Sequence, residues 1–176
     1  MVIIGISGKA GFGKDTAAQI IKEELESIDK RVKILHYADL LKWMCKTYFD
    51  WNGEKDDKGR TLLQYVGTDV IRQQQPEFWV NWIIQMIEFF PDLADYILIP
   101  DCRFPNELEA LNNAFKDKFP VKHFRVVRPN YVSQLSIEQQ QHPSETSLDN
   151  YPYDVLIENT SLDELRKQIQ NIIKAF

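Results

Sequence analysis

Val2-Ile3-Ile4-Gly5-Ile6-Ser7-Gly8-Lys9-Ala10-Gly11-Phe12-Gly13-Lys14-Asp15-Thr16 is the stretch on which the reading of this chain turns. Its β-branched start, residues 2–6, predicts a buried strand, which breaks into a turn carrying Gly8, Gly11 and Gly13 and ends in Lys14. A helical pattern follows. Strand, glycine turn, lysine and helix in that order make the phosphate-loop pattern G-x-x-x-x-G-K, from Gly8 to Lys14. Glycines are needed because the backbone must curl with its N–H groups inward, and side chains there would block an approaching phosphate. The helix N-terminus adds positive potential, and the Lys14 ammonium reaches terminal phosphates as a mobile point charge.

The residue after Lys14 is Asp15, where the general pattern places a Ser or Thr as a magnesium ligand, and Thr16 comes one place late. A competing pattern overlaps it. Gly11-Phe12-Gly13 begins like the dinucleotide fingerprint G-x-G-x-x-G, with Asp39 where an acid could bind a ribose. Thr16 stands in place of its third glycine and Lys14 sits inside the loop, so the phosphate loop is the better fit.

Outward from this stretch, the 176 residues suit one domain, able to bury roughly 70% of the unfolded chain's surface. The net charge of −5 argues against nucleic-acid binding, though not against a local basic pocket for a small phosphate compound. Cys45 and Cys102 show neither a disulfide nor a zinc spacing, as expected of reduced thiols in the cytoplasm. Met1 leads straight into the strand, without a basic leader or an apolar run of roughly 18 residues, so neither secretion nor membrane spanning is expected.

Along the chain, residues 13–27 predict a helix with an apolar stripe of Ala17, Ala18, Ile20, Ile21 and Leu25, and 32–36 a second strand, together a βαβ unit. Residues 38–90 read as a helical insertion: helices over 38–49, 61–72 and 78–90, with a charged, mobile loop at 53–59. A short strand at 96–99 ends in Pro100-Asp101-Cys102-Arg103, and Pro105 opens a helix to residue 115. A strand at 122–127 leads to Arg128-Pro129. The polar segment 129–150 has the place of a short lid. The last strand falls at 155–157, and Ser161 with Glu164 predicts a capping box for a final helix that turns Leu162, Leu165, Ile169, Ile172, Ile173 and Phe176 inward. The expected fold is α/β: three layers, with a parallel sheet of about five strands behind the phosphate loop (P-loop), helices on both faces and a helical insertion. Ligands in such sheets bind at the carboxyl ends of the strands, which selects residues 8–16, 37–42, 101–107 and 128 around one crevice.

Phosphoryl transfer requires donor phosphate, metal and acceptor in line, with positive charge around the moving group. Lys14 and the loop amides suit the donor phosphates of ATP. Asp101, at a strand end, suits a magnesium carboxylate or a base for the acceptor, and Asp15 and Thr16 suit Mg2+ contact through water. Arg60, Arg72, Arg103 and Arg128 are expected at the crevice, where the guanidinium fork suits phosphates. Trp79, Trp82, Tyr65 and Gln64 form a candidate slot for a base, while His36 and His123 are assigned structural roles.

The chain also resembles a family in order along its length. Ser7-Gly8 through Thr16, Arg60-Thr61-Leu62-Leu63-Gln64 with Gly67-Thr68-Asp69 and Trp79, and Pro100 to Arg103 with Glu107 look like the deoxynucleoside monophosphate kinases of bacteriophages. Val126 to Pro129, His142-Pro143-Ser144-Glu145 and Ile157-Glu158-Asn159 continue the match. The resemblance implies an ATP- and Mg2+-dependent kinase that makes a deoxynucleoside diphosphate in its host's cytoplasm if phage-encoded, with a homodimer left open. Carried over, Gly11, Phe12, Gly13, Lys14, Asp15 and Thr16 would bind ATP. Lys42, Arg60, Gly67, Thr68, Arg72, Trp79, Asp101, Arg103 and Glu107 would surround the acceptor, with Lys14, Asp101, Arg103 and Arg128 catalytic. The lid position, 130–141, holds no arginine, and the stretch 51–60 is shorter than usual for the family. Animal-type phosphomevalonate kinases are similar in the Gly-Lys-Asp loop, the Asp-x-Arg strand end and Ser144 to Asn150, and a non-catalytic ATP-binding protein is the alternative outside the enzymes. No Asn-Lys-x-Asp guanine signature is present.

Overall fold

The structure is a computed structural model and describes residues 1–175. Its strands are β1 (Val2–Ser7), β2 (Val32–Ile34), β3 (Tyr96–Cys102), β4 (Val121–Val127) and β5 (Val155–Glu158). They form one five-stranded sheet in the order β2-β3-β1-β4-β5, with every neighbouring pair parallel. The helices are α1 (Lys14–Glu26), α2 (Ala38–Tyr48), α3 (Asp57–Gln64), α4 (Phe78–Phe89), α5 (Pro105–Phe115), α6 (Ile137–Gln141), α7 (Pro143–Thr146) and α8 (Leu162–Lys174).

Alternation along β1 builds the three layers. Ile4 and Ile6 face one side and pack with Ala17, Ile21 and Leu25 of α1 and Leu165 and Ile169 of α8. Ile3 faces the other, where Ile97 and Ile99 of β3 meet Val80, Ile83 and Ile87 of α4 and Leu108, Leu111 and Phe115 of α5. Each layer is therefore written twice: as period two in the strands and as a stripe in the helices.

Proline within a central strand costs a ladder hydrogen bond unless the pairing is interrupted there. Pro100 meets that condition. β2 pairs with β3 only as far as Leu98, and the β1–β3 register slips between the pairs Gly5–Ile99 and Ser7–Cys102. The irregularity carries the strand beyond the predicted end at residue 99 and places Asp101 at the crevice next to β1.

Several sequence expectations change. α3 begins at Asp57 inside the expected mobile loop, because Asp56 caps it by accepting the Gly59 N–H at 2.7 Å. The helix expected to run to Arg72 widens into a π-helical segment over Tyr65–Arg72. There the Gly67 carbonyl accepts Trp79 Nε1–H at 3.0 Å, and a Cβ on Gly67 would lie 2.6 Å from Leu41, so α2 packs directly on that turn. At α8, Ser161 accepts the Glu164 N–H, but Glu164 turns its carboxylate to Lys167 at 2.9 Å, so the capping box lacks its second arm. Leu162 is exposed rather than inward, and Phe176 lies outside the described residues. Among the described residues no helix is long and apolar enough to cross a membrane.

Candidate functional site

The sheet order reverses direction at β1, and the crevice opens beside it, where the loop after β1 meets the ends of β3 and β4. Gly13, at φ 90°, sits in the left-handed region that favours glycine, and its carbonyl accepts the Ala17 N–H to start α1. Asn159, just past β5, braces the loop from outside by donating Nδ2–H to the Phe12 carbonyl at 2.9 Å. A Cβ on Gly13 would lie 2.4 Å from that amide, a second reason for glycine there.

Two clefts flank the loop. The first, about 420 Å³, is lined by Lys42, Arg60, Gly67, Thr68, Arg72, Trp79, Asp101, Arg103 and Glu107, all expected around the acceptor. The second, also about 420 Å³, is lined by Gly13, Thr16, Arg128, Asn159, Ser161 and Leu162. Gly11, Lys14 and Asp15 line both. The expected convergence of four arginines therefore divides, three in the first cleft and Arg128 in the second, because β4 ends on the far side of β1 from β3. Arg128 donates to the Gly11 carbonyl at 3.2 Å and lies 5.1 Å from the Tyr131 ring.

Lys14 is buried, and its Nζ donates to the Lys9 carbonyl at 3.2 Å. Burial, with the positive charge of Arg103, pulls its pKa down to about 8. Asp15 is exposed at the cleft mouth, 3.3 Å from His36 Nε2, while His36 Nδ1 lies 3.4 Å from Asp39. The hydrogen bond between them lowers the Asp15 pKa and raises that of His36. His36 thus belongs to the rim of the site, a role its sequence context did not signal.

Asp101 accepts the backbone N–H groups of Tyr37 at 3.1 Å and Ala38 at 2.9 Å. α2 has no capping side chain of its own at Tyr37, so the carboxylate serves as its cap from another element. Burial raises the Asp101 pKa, and the Ala38 N–H opposes that rise. Glu107 is buried and fully engaged: it accepts from Arg72 at 2.6 Å and from the backbone N–H groups of Arg103 at 2.6 Å and Phe104 at 3.0 Å. Burial raises its pKa against the pull of Arg72. Arg72 in turn lies flat over Phe104, 3.9 Å from the ring centroid.

Other expectations shift with this geometry. The Phe12 ring turns to Tyr131, with centroids 5.9 Å apart, and lines neither cleft, so only its backbone belongs to the loop's cradle. Of the base-slot group, Trp79 and Gln64 line the first cleft while Tyr65 and Trp82 do not. Trp79 is buried and spends its indole N–H on Gly67, which makes it a wall rather than a stacking platform. Phe104, Gln139, His142 and Glu145 also line this cleft; Phe104 lies within the expected 101–107 stretch and His142 and Glu145 within the motif of the family resemblance, but the sequence reading assigns none of the four a site role. Phe104 comes from the turn between β3 and α5, and Gln139, His142 and Glu145 arrive through the chain path after β4, which the tertiary structure alone brings to this cleft. His123 keeps the structural role expected of it, buried with Nε2 2.7 Å from Ser7 Oγ and Nδ1 2.7 Å from the Pro152 carbonyl.

No group of three or more His, Cys, Asp or Glu side chains among the described residues could by itself hold a metal ion. Magnesium needs fewer, since it keeps its waters and binds one or two protein oxygens with the substrate's phosphates. Asp15, which lines both clefts, and Thr16, which lines the second, carry the oxygens such a demand calls for, whereas both oxygens of Asp101, the third residue expected near the metal, accept backbone N–H groups of Tyr37 and Ala38.

A family model described as deoxynucleotide monophosphate kinase matches residues 29–169. A protein of Acanthamoeba polyphaga mimivirus, named by inference as a deoxynucleotide monophosphate kinase, is 30% identical over 199 aligned positions, spanning 96% of this chain and 94% of the relative. In fold, the chain is similar to the APS kinase of Mycobacterium tuberculosis solved with AMPPNP and APS, with a TM-score of 0.59 at 10% identity over 98% of this chain and 97% of that one. A gluconokinase of Sinorhizobium meliloti gives a TM-score of 0.56 at 12% identity over 99% of this chain and 92% of that one. The fold likeness is to phosphate-loop kinases at large, whereas the sequence match is to one group of them: this chain is a kinase and belongs to the deoxynucleotide monophosphate kinase family.

Proposed function

We propose that this enzyme transfers the γ-phosphoryl group of ATP to a deoxynucleoside monophosphate, giving the diphosphate and ADP. One observation carries the reading: Gly11, Lys14 and Asp15 face two clefts at once, so a phosphate held by the loop lies between a donor site and an acceptor site. The second cleft, with Arg128, Asn159 and Ser161, takes ATP. The first, with Arg60, Arg72 and Arg103, takes the monophosphate.

An oxygen of the acceptor phosphate bonds to the γ-phosphorus as the bond to the β–γ bridging oxygen breaks, and ADP leaves with that electron pair. Lys14, the loop amides and Arg103 stabilise the charge spread over the moving group. Asp15 and Thr16 would hold magnesium, which would supply further neutralisation of the transferring phosphates. A phosphate monoester is largely dianionic near pH 7, with a second pKa of about 6, so the acceptor needs no base. Asp101 therefore acts by holding the α2 N-terminus, and with it Lys42, against the cleft rather than by taking a proton.

The deciding experiment is an ADP-release assay over a panel of ribo- and deoxynucleoside monophosphates together with phosphomevalonate. Turnover with a deoxynucleoside monophosphate and none with phosphomevalonate is expected. Turnover only with phosphomevalonate, or ATP binding without ADP release, replaces the reading.

A further inference from the structure

We infer that Glu145 is a positioning residue for phosphoryl transfer, pinning the Arg103 guanidinium against the phosphate loop. The inference rests on the kinase reading above and adds to it a residue that acts through Arg103. Glu145 Oε2 accepts the Ala10 N–H of the loop at 2.8 Å, while Oε1 accepts from Arg103 Nη1. Arg103 Nη1 also donates to the Ser144 carbonyl at 3.0 Å, and the Arg103 backbone N–H is held by Glu107. Backbone and one end of the guanidinium are thereby fixed from two elements. The fork's other nitrogen and its edge are left for the cleft that Arg103 and Lys14 share.

A carboxylate in a phosphate site could instead be a plug that swings out when nucleotide arrives. The anchoring of its segment argues otherwise. His142 caps α7 by accepting the Ser144 N–H at Nδ1, 3.2 Å away. Leu148 is buried in the core cluster that contains Trp79. Asp149 binds Arg125 at 3.0 Å and Lys9 at 3.0 Å. The Glu145 side chain is 8% exposed and tied to the same loop and sheet that it would have to leave. Electrostatics agree: the Arg103 charge disfavours the Lys14 ammonium, the Glu145 carboxylate favours it, and the same carboxylate pairs with Arg103.

The test is a double-mutant cycle in the full chain, reading kcat and KM for ATP and for the monophosphate, with thermal unfolding midpoints as a folding control. Glu145→Gln keeps an acceptor for Ala10 but presents no carboxylate to Arg103. It is expected to lower kcat about tenfold or more while leaving KM for ATP within about twofold. Arg103→Ala is expected to do the same, and the double variant to be no worse than Arg103→Ala alone, because removing Arg103 leaves Glu145 nothing to position. Glu145→Asp keeps the charge but is one methylene short, and a kcat loss in it at an unchanged midpoint supports the inference should Glu145→Gln fail to fold. Losses that multiply in the double variant, or wild-type kcat in both Glu145 variants, overturn it. An inactive wild type removes the kinase reading and this inference together, whereas multiplying losses in an active one remove the inference alone.

Discussion

The Asp101 carboxylate and the Ala38 amide, 2.9 Å apart, couple the end of β3 to the start of α2. A second bond to the Tyr37 N–H completes a cap that α2 does not carry in its own sequence. The orientation of α2, and of the Leu41 and Lys42 side chains that line the first cleft, follows from a residue more than sixty positions away.

Removing that cap should cost both stability and activity. Asp101→Ala strands the Tyr37 and Ala38 N–H groups in a partly buried site, a loss of about 1–3 kcal/mol. The midpoint of thermal unfolding should fall by several degrees, and monophosphate KM should rise as α2 loosens. Asp101→Asn, which keeps one acceptor oxygen, should lie between. Calorimetry beside steady-state kinetics checks the order, and an unchanged midpoint in Asp101→Ala would remove the capping role.

In the proposed mechanism Lys14 supplies the point charge for the moving phosphate. Lys14→Ala should lower kcat on the order of 10²-fold or more while the variant stays folded, as its unfolding transition shows. Single-turnover ADP release measures this directly, and near-normal turnover excludes Lys14 from the chemistry.

The pKa of Lys14, about 8 against the usual 10.5, also sets a pH dependence. Between those values the folded protein holds fewer protons at this residue than the unfolded chain does, so Lys14's cost to stability shrinks as pH rises through that window. Triphosphate binding has the opposite sign. It favours the charged ammonium, so ATP affinity should weaken as pH climbs past about 8, with proton uptake on binding. Titration calorimetry in buffers of different ionisation enthalpy reads the uptake. Lys14→Met should bind ATP more weakly and lose the trend, and a wild-type affinity flat up to pH 10 would contradict the assignment.

Arg60 and Arg128 line different clefts and should separate by ligand. Arg60, whose Nε donates to the Lys55 carbonyl at 2.8 Å, presents the rest of its fork to the first cleft. Arg60→Ala should weaken monophosphate binding roughly tenfold and ATP binding hardly at all, while Arg128→Ala should do the reverse. Equilibrium titration of each variant with each ligand checks the pair, and matching losses for both ligands would merge the two sites.

Arg72, partly buried, and Glu107, fully buried, form an ion pair that also braces the start of α5. Glu107→Ala leaves the Arg72 charge uncompensated and should destabilise the fold by about 3–5 kcal/mol, more than Arg72→Ala, which leaves Glu107 its two backbone donors. Chemical denaturation of both variants measures the difference, and equal losses would show that the backbone donors contribute nothing.

Much of this was legible in the chain. The strand, glycine turn and lysine at residues 2–16 require a phosphate loop because few other residue types allow the curl, and the apolar stripes of α1 and α8 state which faces the sheet must cover. These are local properties, carried by residues within a turn or two of one another. The π-helical turn at Gly67 is not local: it depends on Trp79 and Leu41 arriving from elsewhere. The same holds for the division of the arginines between two clefts and for Glu145 beside Ala10, which lies 135 positions away along the chain. Residue spacing encodes which groups are present and which way an element faces; only the packed sheet decides which distant charges become neighbours, because that distance is set by strand order rather than by sequence separation.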